Sequence, residues 1–144
     1  MKKLLVSVLF VWPLLVAGAV AQEHYTEGPV WQVTLVKILP GQDDAYFSSI
    51  RERSKPFLEE EKRQGMILDY KYFLNTTQHD PNDWNIALAV QYKNFAALDG
   101  LTAKAEALRD RIFGSKQSAI QLNQKRTEMR QIVGSMVMRE ITLK

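Results

Sequence analysis

Four places in the sequence bring together side chains able to do chemistry. His79-Asp80 lies in a polar run, residues 75–83 (NTTQHDPND), just ahead of an apolar segment. A histidine beside a carboxylate can act as a general base, because imidazole titrates near neutral pH. The plainer alternative is a solvated loop. Asp83-Trp84 follows directly. There an indole could line a pocket mouth while the carboxylate orients a ligand hydroxyl, or the pair could be a turn aspartate and a packing tryptophan. Tyr70 and Tyr72 are spaced by two, which on a strand puts both on one face and Asp69 and Lys71 on the other. Such a row is core, interface, or the lining of an apolar cavity whose phenols serve as fixed hydrogen-bond donors. Arg139 and Glu140 sit inside the last apolar segment. If both faces there are covered, one of them points inward and needs a partner. For Arg139 that partner is an ion pair between subunits or the anionic group of a ligand.

Other chemistries find no residues to carry them. With no cysteine and two histidines in 144 residues, there is no thiolate metal site, no disulfide framework and no nucleophilic thiol. His24 falls in an expected polar tail and His79 in the loop, so neither is placed as a metal ligand or an axial haem ligand. No phosphate-cradling glycine loop and no Gly-x-Ser-x-Gly elbow occurs. The sequence therefore assigns no catalytic residue, no metal and no cofactor. Asn75-Thr76-Thr77 matches a glycosylation sequon, and Glu59-Glu60-Glu61-Lys62-Arg63 reads as the solvated end of a helix.

The elements that hold these residues follow an amino-terminal leader. Met1-Lys2-Lys3 is a short positive start, residues 4–16 are apolar apart from Ser7 and Pro13, and Ala19-Val20-Ala21 has the small-x-small form that a signal peptidase cleaves. The expectation is a bacterial export signal over residues 1–21 and a periplasmic or secreted domain over residues 22–144, with no membrane attachment after cleavage. A retained anchor is the alternative, since the apolar stretch just reaches the length of a bilayer span. The formal charge is +3, from 19 Lys+Arg against 16 Asp+Glu. Two of the lysines belong to the leader, so the mature chain is close to neutral and is not expected to bind nucleic acid.

Residues 22–28 read as a frayed tail. Residues 30–39 (VWQVTLVKIL) are β-branched and apolar, a strand stopped by Pro40-Gly41. A helix follows from Asp43 or Asp44 to Gly65, carrying Tyr46, Phe47, Ile50, Phe57 and Leu58 on one side, with a kink expected at Pro56. Residues 66–74 and 84–92 give two more strands. Leu101, Ala105, Leu108 and Ile112 repeat at helical spacing up to Gly114. A further helix is expected over residues 118–133, ended by Gly134, and a last strand over 136–143. The order is β-α-β-β-α-β with a helical insertion before the last strand, an α+β ferredoxin-like pattern with helices on one sheet face.

A sheet covered on one side should alternate apolar and polar residues. In this one Val33 and Leu35 point one way while Val36 and Ile38 point the other, and Ala87 and Ala89 back Ile86 and Leu88. Both faces want burial, and the simplest second cover is another copy of the same sheet. The sequence thus predicts a homodimer through its sheet faces.

VWQVTLVKILPGQDDAY, a helix ending in RQGMILDYKYF, and NDWNIALAVQYKNFAALDGL together resemble the dimeric α/β-barrel superfamily, over nearly the whole mature chain. The resemblance implies two ferredoxin-like subunits packed sheet against sheet. That superfamily includes cofactor-free monooxygenases, muconolactone isomerase, haem-binding chlorite dismutases and dye peroxidases, and uncharacterised stress-related proteins; this chain is most similar to an exported, uncharacterised branch. The insertion after Leu101 departs from the compact monooxygenase pattern, so no catalytic residue carries over. Three readings remain open: a protein that binds a small apolar or aromatic molecule between sheet and helices, a cofactor-independent monooxygenase or isomerase, and an interaction subunit with a filled interior. Tyr70, Tyr72, His79, Asp83, Trp84 and Arg139 are the candidate ligand contacts.

Overall fold

The computed structural model describes residues 24–144. The expected leader, residues 1–21, lies outside the described residues.

Four antiparallel strands, β1 (Tyr25–Ile38), β2 (Asp69–Leu74), β3 (Ile86–Tyr92) and β4 (Arg130–Leu143), form one sheet in the order β2-β3-β1-β4. Between β1 and β2 run α1 (Asp43–Ser49), a π-helical turn (Ile50–Ser54) and α2 (Lys55–Arg63); between β3 and β4 run a 3-10 turn (Phe95–Leu98), α3 (Leu101–Phe113) and α4 (Lys116–Thr127). This is the ferredoxin-like order, with α3 and α4 as the expected insertion.

Pro56 acts one turn earlier than a simple kink would. Its ring excludes the carbonyl four residues back and it brings no N–H. The chain answers with the π turn: the Lys55 N–H bonds the Ile50 carbonyl, five residues away, and Pro56 falls in the first turn of α2. Such widened turns occur often at functional sites, and this one buries Ser54. Gly65 (φ +69°) and Gly114 (φ +88°) then end α2 and α3 in the left-handed region that glycine enters without strain.

Several boundaries depart from the sequence reading. The tail is strand from Tyr25, because Tyr25, Thr26 and Glu27 pair with Leu143, Thr142 and Ile141, and the Lys144 N–H donates to the His24 carbonyl. The helix expected through Val133 stops at Thr127. Residues 130–132 instead pair with Ile38, Lys37 and Val36, and a bulge at Val133 restores register at Gly134, which lies inside β4 over Leu35. Consecutive β-branched Ile132 and Val133 suit that ladder better than a helix. β2 starts at Asp69 and β3 at Ile86, later than expected.

The two faces separate as the alternation implies. Toward the helices, Val30, Val90 and Tyr92 close over Leu58 and Ile67, and Val36, Ile38 and Ile86 over Tyr46 and Ile50. The opposite face carries Val33 and Leu35 across from Ala89 and Ala87, flanked by Phe73 on β2 and by Met136 and Met138 on β4. Phe73, Met136 and Met138 are 50%, 42% and 45% exposed. Also on this face, the Trp31 indole donates to Glu140 at 2.8 Å and lies under the Lys71 ammonium.

Candidate functional site

A cavity of about 210 Å³ opens where the helical insertion meets the π turn above β3. Phe57 and Leu58 of α2, Leu88 of β3, Phe113 of α3, and Ala119 and Leu122 of α4 give it apolar walls; Arg53, Ser54, Arg109, Asn123 and Arg126 are its polar lining. Phe57 and Phe113 stack with centroids 6.4 Å apart, and the Arg109 guanidinium lies 5.7 Å over the Phe57 ring. No carboxylate and no imidazole lines the cavity.

Local sequence explains the polar edge. Ala119, Leu122 and Arg126 fall at i, i+3 and i+7, so Arg126 rides the apolar stripe of α4 and is carried inward. Ser54 is turned inward by the π turn. Tyr72, on the helix-facing side of β2, comes up against Ser54. The Ser54 hydroxyl, the Tyr72 hydroxyl and the Arg126 Nε are all buried without a hydrogen-bond partner among the described residues. Burial lowers the Arg126 pKa and the Arg130 charge lowers it further, while Tyr46 and Tyr72 work against both. Burial likewise raises that of the Tyr72 phenol. Arg130 is accounted for: its guanidinium donates to the Tyr46 hydroxyl at 3.3 Å and covers the same ring.

Beside the cavity, Glu61 of α2 is only 7% exposed. Burial pushes its carboxyl from 4.5 to about 7, against the pull of Arg109. Tyr92 is pushed up to about 12 by burial, with Glu61 adding to it.

The residues singled out from sequence do not converge. Tyr70 and Tyr72 do share the helix-facing side, with rings 6.1 Å apart edge to face. Tyr70 is satisfied by the Glu59 carboxylate at 2.6 Å, and neither tyrosine lines the cavity, although Tyr72 lies against Ser54, which does. His79 is exposed, and its contact to Asp83 comes from its backbone N–H, at 2.9 Å. Asp83 also accepts from the Asp80 N–H, which makes it the organiser of the turn. Trp84 stands half-buried before β3, its carbonyl taking the Asn75 side-chain amide. Arg139 pairs with Glu27 of its own chain and sits 4.7 Å over Phe95, so the ion pair expected between subunits is met within one chain. None of His79, Asp83, Trp84 or Arg139 lines the cavity. Ser54 and Arg126 were missed, although a cation on the apolar stripe of α4 was the signal available.

Sheet order, antiparallel pairing and helices on one face make this an α+β chain of ferredoxin-like fold. Solved structures agree with that fold. HapK from Hahella chejuensis superposes with a TM-score of 0.52 at 10% identity, over 77% of this chain and 91% of that one. A NIPSNAP-family protein of unknown function from Agrobacterium tumefaciens gives 0.50 at 9% identity, over 84% and 92%. A dimeric ferredoxin-like protein from an uncultured marine organism is a looser match, with a TM-score of 0.43 at 13% identity over 83% and 96%. No protein-family model and no curated protein sequence matches the chain.

Among the described residues, no group of three His, Cys, Asp or Glu side chains could hold a metal ion, and no helix is long and apolar enough to cross a membrane. The cavity offers cations and hydroxyl donors above apolar walls. Those groups can hold and orient a molecule that brings its own acceptors.

Proposed function

We propose that this chain is an exported, homodimeric binding protein that holds a small, largely apolar or aromatic molecule between its sheet and its helices. The cavity under α3 and α4 carries this reading: its walls are apolar and aromatic, and polar groups at its edge lack partners. A cavity of roughly 150 Å³ accommodates benzene, so 210 Å³ suits a one- or two-ring compound. Such a space also argues against a subunit whose interior is simply filled. The apolar face bearing Leu35, Phe73, Met136 and Met138 favours a second copy as its cover, because a contiguous exposed apolar patch marks an interface. The lysine-led apolar leader with Ala19-Val20-Ala21 supports export.

Native mass spectrometry of the protein purified from its exported fraction tests the three parts together. The expected species is two chains without residues 1–21, carrying a small-molecule adduct. A clean monomer overturns the sheet-on-sheet pairing, and an intact leader overturns cleavage. Absence of any adduct, together with no thermal shift from a panel of one- and two-ring aromatics, overturns the binding role.

A further inference from the structure

We propose that the molecule held in this cavity is an organic anion, a one- or two-ring aromatic acid whose carboxylate lies against Arg126 and Ser54. This rests on the binding role proposed above and adds the charge of the ligand. Three guanidinium-bearing residues, Arg53, Arg109 and Arg126, line the space, and no acidic side chain does. Other cations of the fold have carboxylate partners: Lys62 with Asp69, Arg63 and Arg111 with Glu60, and Arg139 with Glu27. Arg126 has none among the described residues. It is instead buried near a second cation, Arg130, and leaves its Nε unpaired. A desolvated cation in that position is costly unless a counter-charge reaches it.

The neighbouring groups point to the same chemistry. The Ser54 hydroxyl lines the same edge with the Tyr72 hydroxyl against it, and an ionised carboxylate has about four acceptor positions to fill. A neutral ligand with one carbonyl would leave part of this donor set unsatisfied. On the other side, the Phe57–Phe113 stack and Leu88 and Leu122 present flat apolar surface for a ring. The arrangement therefore reads the acid at one end and the ring at the other.

Calorimetric titration of the mature protein with 2-naphthoate and with its uncharged isostere 2-naphthamide, near neutral pH, tests this. A charge-assisted hydrogen bond to a buried partner corresponds to a preference of about tenfold or more for the acid. In Arg126→Gln that preference is expected to disappear while amide binding persists; Arg126→Lys, which keeps the charge, should retain part of it. Should Arg126→Gln fail to fold, Ser54→Ala is expected to weaken the acid several-fold and leave the amide unchanged. Equal affinities for acid and amide in the native protein overturn the anion and leave the binding role standing. A preference that survives intact in Arg126→Gln overturns the assignment to Arg126. Binding of neither compound, nor of any other aromatic acid or amide of this size, overturns both the anion and the role on which it rests.

Discussion

Glu61→Gln offers a test of the interior that does not depend on knowing the ligand. The Glu61 carboxyl is buried near Tyr92 and is raised from 4.5 to about 7, with Arg109 as the charge opposing the shift. Well below pH 4.5, folded and unfolded chains both hold the proton, and the residue has no pH-dependent effect. Between about 4.5 and 7 the unfolded chain releases the proton while the folded chain keeps it, so stability falls as pH rises. Above about 7 the folded chain must carry a desolvated carboxylate and the loss is complete. At about 1.4 kcal/mol per pKa unit, the full effect is on the order of 3 kcal/mol. Glutamine keeps the shape without the titration. The variant should match the native protein near pH 4 and exceed it by about 1–3 kcal/mol near pH 8, the range allowing for relaxation around the charge. Urea denaturation followed by far-ultraviolet circular dichroism at several pH values measures both curves. The reasoning is refuted if native stability climbs from pH 5 to pH 8 while the variant shows the same slope, since Glu61 would then be ionised in the folded state at no cost.

Two further substitutions address the surfaces. A charge on the open sheet face, as in Met136→Glu or Leu35→Glu, should convert a dimer to a monomer in light-scattering chromatography; dimers that persist in both variants would remove this face as the interface. Asp83→Ala removes a carboxylate that accepts from two backbone N–H groups, at 2.9 and 3.3 Å, and should cost about 1 kcal/mol, a fall in Tm of roughly 4 °C for a domain of this size. Aromatic-acid binding should survive that change. A loss of binding at unchanged Tm would instead make Asp83 a ligand contact.

The architecture was legible because it is written in alternation. Val33 and Leu35 against Val36 and Ile38 told that both sheet faces are apolar, and the strand–helix order fixed which elements could be neighbours. The misread boundaries share a physical cause. Residues 22–28 carry few apolar side chains and looked like a tail, but the backbone of Tyr25, Thr26 and Glu27 is held by pairing with residues more than a hundred positions away. Residues 130–133 fit the helical period that precedes them, and only the ladder against β1 makes them strand. Local pattern does not report long-range pairing.

The site was less legible, for a reason that bears on how binding cavities arise in this fold. Attention goes first to polar clusters such as His79-Asp80 and Asp83-Trp84, yet the two carboxylates there are taken up by turn hydrogen bonds and none of the four residues lines the cavity. Arg139 looked like an orphan and found Glu27 once β1 extended to meet β4. Apart from the Arg139 Nε, the buried side-chain atoms left without a partner among the described residues are ones that packing carries inward one at a time: on Ser54 through the π turn that Pro56 imposes, on Arg126 by its place beside Ala119 and Leu122 on α4, and on Tyr72 by strand parity. Each is ordinary in sequence, and they come from three elements that only the fold brings together. The helical insertion is what closes the cavity over Ser54, because α3 and α4 supply Phe113, Leu122 and Arg126, and with them most of one wall. The binding role proposed for this chain therefore rests chiefly on α3 and α4, while the sheet and α2 provide the floor beneath them.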